Sequence, residues 1–95
     1  MPAVTRIGDA DVVHCSQPRR QQGSSDVFVN DRGVSRRGDK NTPHKKPGKK
    51  CPIHSAAISG GSSTVFVNGR PIGRVGDKIA NCTAVAQGSP NVFAG

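Results

Sequence analysis

The sequence contains an internal repeat, and this feature constrains the fold more than any other. Residues 23–39 (GSSDVFVNDRGVSRRGD) and 61–77 (GSSTVFVNGRPIGRVGD) agree at 11 of 17 positions at a shift of 38. A third copy begins at residues 88–95, GSPNVFAG, and its missing second half resembles residues 2–9, PAVTRIGD. Similar units of this kind are expected to share one core. The sequence therefore predicts a single domain over residues 1–95, in which the chain ends meet and three units surround a pseudo-threefold axis.

Each complete unit has the pattern of a β-hairpin. In the second unit a β-branched and aromatic run, VFV, is followed by Asn68-Gly69, which favours a type I′ turn, and residues 70–75 form the expected return strand. The first unit has Asn-Asp at the same place, and both residue types tolerate a positive φ. With 12 Gly and 7 Pro in the chain, long helices are not expected. The predicted fold class is all-β, made of short hairpins.

The apolar content is too low for a large core. Only 33% of the residues are hydrophobic, and the aromatic residues are three Phe that share one repeat position, where we expect them in the core. A chain this short and this poor in apolar residues needs a disulfide, a metal or a partner subunit. The Val-Phe pairs of the three units are candidates both for the core and for a partner-contacting base: Val27, Phe28, Val65, Phe66, Val92 and Phe93.

Three side chains that can bind a metal share another repeat position. His14, His44 and Cys82 each stand five residues after the Gly-Asp that ends a unit. Around a threefold axis they would converge, and His54, the remaining His, supplies a fourth donor. A His₃Cys set fills the coordination of one Zn²⁺ and leaves no open position, so it favours a structural site over a catalytic one.

Other donors and other metals stay open at this point. Cys15 and Cys51 compete with the four residues above, and Cys51 forms a Cys-x-x-His with His54. Iron is an alternative to zinc, although mixed imidazole and thiolate donors favour zinc. A Cys15–Cys51 disulfide, or histidines that are simple surface residues, are the remaining interpretations. Three cysteines cannot all pair internally, and in a reducing compartment a metal role outranks a disulfide.

The charge balance of +8 predicts attraction to polyanions. Five Lys lie in the basic insert, residues 40–50, which we expect to be a solvated loop; contact with an anionic membrane surface or with nucleic acid are its alternatives. A small basic zinc protein that binds nucleic acid is accordingly the alternative function. The sequence lacks the apolar stretch of a signal peptide or a membrane span, so synthesis in the cytoplasm is expected.

An enzyme is not predicted. A catalytic zinc site needs an open metal position and a general base, yet the chain has no Glu and its His are assigned as ligands. The remaining candidates, Asp9, Asp39 and Asp77, end the repeat units and are expected to be turn residues.

The unit GS-x-x-VFVN-G-x-P-x-x-R-x-GD, with PAVTRIGD at the start and GD-x-x-x-x-C near the end, resembles the PAAR-repeat family. The resemblance covers nearly the whole chain, although the Pro-Ala-Ala-Arg element is degenerate and its second copy, GVSR, lacks the Pro. It implies a small conical domain that sharpens the central spike of contractile phage tails and type VI secretion systems. It also implies one zinc at the apex, held by three His and one Cys, which fall on His14, His44, His54 and Cys82.

The resemblance implies a partner as well. The base of the cone would dock on a trimeric β-helical spike protein, a tail spike or a VgrG-like protein, and three near-equivalent hairpins match a threefold partner. The expected function is a non-enzymatic spike tip that pierces the target envelope. It would be located in a virion tail baseplate, or made in the cytoplasm and secreted by a type VI system.

Overall fold

The computed structural model describes residues 1–13, 17–45, 53–80 and 83–95. These ranges contain no helix, and therefore none that could span a membrane. They contain six short strands: β1 (Phe28–Val29), β2 (Arg32–Gly33), β3 (His44–Lys45), β4 (Ile53–His54), β5 (Phe66–Val67) and β6 (Arg70–Pro71). The strands pair as three antiparallel hairpins, β1-β2, β3-β4 and β5-β6. The all-β prediction is confirmed for the described part of the chain.

The β1-β2 and β5-β6 hairpins have the predicted turns. Asn30 and Asp31 have φ of 53° and 65°, and Asn68 and Gly69 have φ of 53° and 78°. Two successive positive φ values define the type I′ turn, whose twist matches that of the flanking strands. The Asn-Asp version thus adopts the same turn as Asn-Gly. The return strand is shorter than residues 70–75, because the chain leaves the hairpin after Pro71 to pair with another unit.

The two ends of the chain pair with each other. Ala3 forms an antiparallel bridge with Phe93, the Val4 N–H donates to the Val92 carbonyl at 3.0 Å, and the Ala94 N–H donates to the Pro2 carbonyl at 3.0 Å. These contacts replace the two strands that the other units form around a turn. This is the arrangement that a split third unit needs.

The units contact one another in a cycle. Three bridges join matching positions of successive units: Arg6 with Val34, Arg36 with Ile72, and Arg74 with Val4. Beside them lies a closed ring of backbone hydrogen bonds: Thr5 N–H to Gly73 O (3.1 Å), Gly73 N–H to Ser35 O (2.9 Å), and Ser35 N–H to Thr5 O (3.1 Å). Thr5 and Ser35 are fully buried, so the ring lies in the interior.

Among the described residues, the core consists of two small aliphatic clusters without an aromatic residue. One contains Val4, Val34, Val67, Ile72 and Ala94, with Val29 packed against it. The other contains Ile58, Ile79 and Val85, with Ala56 and Val75 packed against it. The molecule is elongated, with extents of 38 × 24 × 21 Å.

The predicted basic insert, residues 40–50, is described as far as residue 45. Lys40 bridges Ala57, Asn41 bridges Arg20, and β3 pairs with β4. This part of the insert is therefore paired backbone rather than a free loop.

Candidate functional site

Each unit ends in a turn closed by an arginine and an aspartate. In the first of these turns in chain order, the Asp9 N–H donates to the Arg6 carbonyl at 3.0 Å, and the Arg6 N–H donates to Asp9 Oδ2 at 2.9 Å. The glycine before each aspartate has a φ of 91–93°, a value that a side chain would strain. The same Arg-x-Gly-Asp turn recurs at residues 36–39 and 74–77. The turn role predicted for the three aspartates is confirmed.

The same residues form two-point ion pairs. Arg6 donates from Nε and Nη2 to the two carboxylate oxygens of Asp9 at 2.8 and 2.9 Å. The equivalent distances are 2.8 and 3.1 Å for Arg36 with Asp39, and 3.1 and 2.9 Å for Arg74 with Asp77. Such fork-shaped pairs are the strong form of the charge-assisted hydrogen bond. Hydrogen bonding to Asp39 raises the pKa of Arg36.

A second arginine approaches two of the three aspartates. Arg32 lies 3.3 Å from Asp9, and Arg70 lies 3.0 Å from Asp39. At the matching position of the split unit stands Pro2, which has no charge to offer Asp77. The three turns therefore share one backbone geometry, but the positive charge close to the aspartate is smaller at Asp77 than at Asp9 and Asp39.

These ion pairs were not predicted from the sequence. Arg6, Arg36 and Arg74 are neutralised at the turns, and Arg20 is neutralised by Asp11 at 3.0 Å. The signal was present, because Arg-x-Gly-Asp occurs three times at one repeat position.

The three Val-Phe pairs are exposed, which corrects the prediction that the Phe residues lie in the core. Phe28, Phe66 and Phe93 are 58%, 56% and 49% exposed, and the preceding valines are 36–37% exposed. The reason is geometric: alternate residues of a strand face opposite sides, and the inward side is taken by Val67 and Ala94 in the core. Val27, Phe28, Val65, Phe66, Val92 and Phe93 thus form an apolar set on the surface.

Polar side chains tie these hairpins together. The Asn68 amide donates to Asp26 Oδ1 at 3.0 Å, and the Asn30 amide donates to Asn91 Oδ1 at 3.0 Å. At the third junction the Ser62 hydroxyl donates to the Gly95 carbonyl. The Val-Phe set is therefore carried on hairpins that brace each other.

One of these junctions carries a charge with an altered pKa. The Ser24 hydroxyl and the Asn68 amide both donate to the Asp26 carboxylate, and they hold its pKa below the ordinary value of 3.8. Asp26 is thus an anion at neutral pH beside the apolar set.

The predicted metal ligands are only partly within the description. His14 and Cys82, like Cys15 and Cys51, lie outside the described residues. His44 and His54 are brought together, because β3 and β4 pair with these two residues as direct partners.

The donor chemistry of the chain fits zinc at these four residues. Imidazole and thiolate suit a tetrahedral zinc ion. Among the described residues no group of three or more His, Cys, Asp or Glu is placed to hold a metal, and the turn aspartates are engaged by arginines.

Together these features define a class of protein: a small all-β domain of repeated hairpins, joined in a cycle, with apolar pairs displayed at one repeat position. The PAAR motif model matches residues 48–95, half of the chain, and the protein belongs to the PAAR-motif family, as its sequence predicted. The motif is associated with the tips of contractile injection systems, a structural rather than enzymatic role. A search of curated proteins finds no match.

Proposed function

We propose that this protein is the tip of a contractile injection machine, a phage tail baseplate or a type VI secretion system, and that it caps a trimeric β-helical spike. The observation that carries the proposal is the exposure of a Val-Phe pair at the same position of all three units. Large exposed apolar side chains that recur at one position of every unit are candidates for an interaction surface.

The cyclic contacts support a threefold match to the partner. The bridges and the ring of hydrogen bonds relate the first unit to the second, the second to the split unit, and the split unit to the first. A single chain arranged around a pseudo-threefold axis presents three near-equivalent surfaces to a trimer, so each partner subunit meets a similar hairpin. The Val-Phe pairs form the base in this arrangement, and capping covers them.

We assign one structural zinc to the chain, held by His14, His44, His54 and Cys82 at the end of the units away from the Val-Phe pairs. The direct pairing of His44 with His54 supports this set, since the backbones of two of the four donors then lie opposite each other. When bound, zinc supplies a cross-link between segments that are distant in sequence. The chain's own contribution is to present donors that match a closed site, which agrees with a non-enzymatic role.

The interface is tested by co-purification with a trimeric β-helical spike protein of the VgrG type. The variant Phe28→Ser/Phe66→Ser/Phe93→Ser removes the apolar set; because these rings are half exposed, it should stay folded while losing the complex. Val12→Ser/Val13→Ser is the matched control, since these valines are also exposed but lie outside the hairpins. A triple variant that stays folded and still co-purifies with the spike would contradict the proposed base.

The metal assignment has its own test. Purified protein should contain one zinc per chain, and a chelator should lower its melting temperature. His54→Ala should abolish that effect of the chelator. Protein without stoichiometric zinc, or with iron in its place, would overturn the zinc assignment and leave the base untouched.

The nucleic-acid alternative loses part of its support. Six of the eight arginines pair with aspartates, so less arginine charge is left to contact phosphates. A salt-dependent gel shift with duplex or single-stranded DNA at micromolar protein would restore it.

A further inference from the structure

Two matching interior positions, which together we call the layer, hold different residues in the three units. In each unit the backbone carbonyl of the aspartate in the Arg-x-Gly-Asp turn accepts a hydrogen bond from the N–H of a later residue. The donors are Arg20 (2.8 Å), Ile58 (3.1 Å) and Val85 (3.0 Å). A second set of matching positions lies two residues after the turn aspartates: Asp11, Asn41 and Ile79. Three of the six residues form the Ile58, Ile79 and Val85 cluster, whereas Asp11, Arg20 and Asn41 are polar. The layer is half aliphatic and half ionic.

The ionic half is buried and connected. Arg20, Asp11 and Asn41 are each no more than 1% exposed. Arg20 donates from Nη2 to Asp11 Oδ2 at 3.0 Å and from Nη1 to the Asp39 carbonyl at 3.1 Å. The Asn41 amide donates to the same Asp11 oxygen at 3.1 Å and accepts from the Ala56 N–H at 2.9 Å.

Stability alone does not account for this choice of residues. Removing an ion pair from water is costly, and replacing it with well-packed apolar residues is often neutral or stabilising. This chain already fills the two matching positions of the second unit with Ile79 and Val85. The polar residues must therefore do something that aliphatic residues do not.

Their position relative to the predicted ligands indicates what that is. Asp11 and Asn41 stand three residues before His14 and His44, and Ile79 stands three before Cys82. Asn41 holds, through Ala56, the segment that follows His54.

The segments around Asp11 are tied in the same way. The Asp11 N–H donates to the Pro18 carbonyl at 3.0 Å, which closes the two ends of the segment containing His14. The next N–H, from Val12, reaches the carbonyl of Ala84, just after Cys82, at 2.8 Å. The polar cluster and the neighbouring Val12 thus contact residues that are close in sequence to all four predicted ligands.

We infer that Asp11, Arg20 and Asn41 are positioning residues for the metal site. Their directional hydrogen bonds fix the spacing of the ligand-bearing segments before the ion arrives, so less ordering is needed on binding. Aliphatic contacts would bury the same volume without fixing direction. This inference rests on the zinc assignment proposed above.

The deciding variant is Asp11→Ile/Arg20→Val, which gives the split unit the residues that follow the turn of the second unit, Ile79 and Val85. It removes the charges of Asp11 and Arg20 together. We expect it to fold, with a metal-free melting temperature close to that of the wild type, because the gain from removing a buried ion pair is offset at the Asn41 amide, which loses Asp11 as an acceptor. Its zinc affinity, measured by competition with a chromophoric chelator, should fall about 10- to 100-fold, as for other outer-shell substitutions.

Two further variants separate positioning from packing. Ile58→Val, in the aliphatic half of the layer, should lower stability and leave zinc affinity unchanged. Arg20→Lys keeps the ion pair but loses the fork that reaches both Asp11 and Asp39, so it should weaken zinc binding measurably and decides the matter if the double variant does not fold. Unchanged zinc affinity in the folded double variant overturns the inference. If only Arg20→Lys folds, unchanged zinc affinity in that variant overturns it instead. A wild type that binds no zinc overturns the metal site as well.

Discussion

The three Arg-x-Gly-Asp turns allow one substitution to be compared at three depths of burial. The aspartate side chain is 0% exposed at Asp9, 4% at Asp39 and 10% at Asp77, and its arginine partner is 6%, 11% and 19% exposed. Replacing each aspartate with asparagine keeps the shape and one acceptor oxygen but removes the negative charge. The arginine is then left without its counter-ion, and the cost depends on how far it is screened by water.

The magnitudes follow from that exposure. Breaking a fully buried pair costs about 3–5 kcal/mol, whereas exposed pairs contribute about 0.2–1 kcal/mol. We therefore expect about 3 kcal/mol for Asp9→Asn, which also loses the charge that faces Arg32. Asp77→Asn, the most exposed and without a second arginine nearby in the described chain, should cost about 1 kcal/mol. Asp39→Asn should fall between them.

Urea unfolding in the presence of zinc measures the free energy of unfolding of each variant, and thermal unfolding gives the matching change in melting temperature. For a domain of this size each kcal/mol corresponds to about 4–8 °C, so Asp9→Asn should lower the melting temperature by at least about 12 °C. Asp31→Asn, at an exposed turn position where Asn tolerates the positive φ of 65°, is the control and should change stability by less than about 0.5 kcal/mol. Three equal costs, or the largest cost at Asp77, would refute the link between burial and the strength of these pairs.

Three other perturbations test the backbone, the acid range and the metal. Gly33→Ala should unfold the protein in mild denaturant, since a Cβ there would meet the Ser24 carbonyl at 2.5 Å. Gly69→Asp copies Asp31 of the first unit, and its Cβ would meet nothing within 4 Å, so it should cost less than about 1 kcal/mol. Equal losses of stability in urea for the two variants would contradict this. The pKa of Asp26 is lowered in the folded state, so its stabilising contribution is present above its unfolded pKa and is lost as the pH falls through the folded value. Asp26→Asn should therefore lose less stability than the wild type between about pH 4 and pH 2, as measured by thermal unfolding. Re-adding zinc to chelated protein should restore the melting temperature, whereas recovery with calcium would indicate oxygen ligands instead.

The hairpins were predictable from the sequence because their signals are local. Asn68-Gly69 and its counterpart at residues 30–31 specify the type I′ turn through their own tolerance of positive φ. The repeat also predicted which positions are equivalent, so the pairing of Ala3 with Phe93 is consistent with the split unit.

Burial of the Phe residues was predicted wrongly because composition does not specify a side of a strand. With strands of two residues, whether a side chain faces the core depends on which neighbour completes it, and Val67 and Ala94 occupy that side. The Asp11–Arg20 pair was out of reach for another reason: it occurs in one unit, so the repeat carries no signal for it. The metal residues His14 and Cys82 remain a prediction from spacing.

The joining of the two chain ends has a consequence for synthesis. The hairpin that completes the cycle is made by residues 2–4 and 92–94, so its first strand leaves the ribosome long before its second. Until residues 92–94 emerge, Val4 lacks the hydrogen bond to Val92, and the cluster that contains Ala94 is incomplete. Non-local closure of this kind makes folding slow relative to local hairpins. Residues 2–4 therefore lack this part of their pairing until residues 92–94 have left the ribosome.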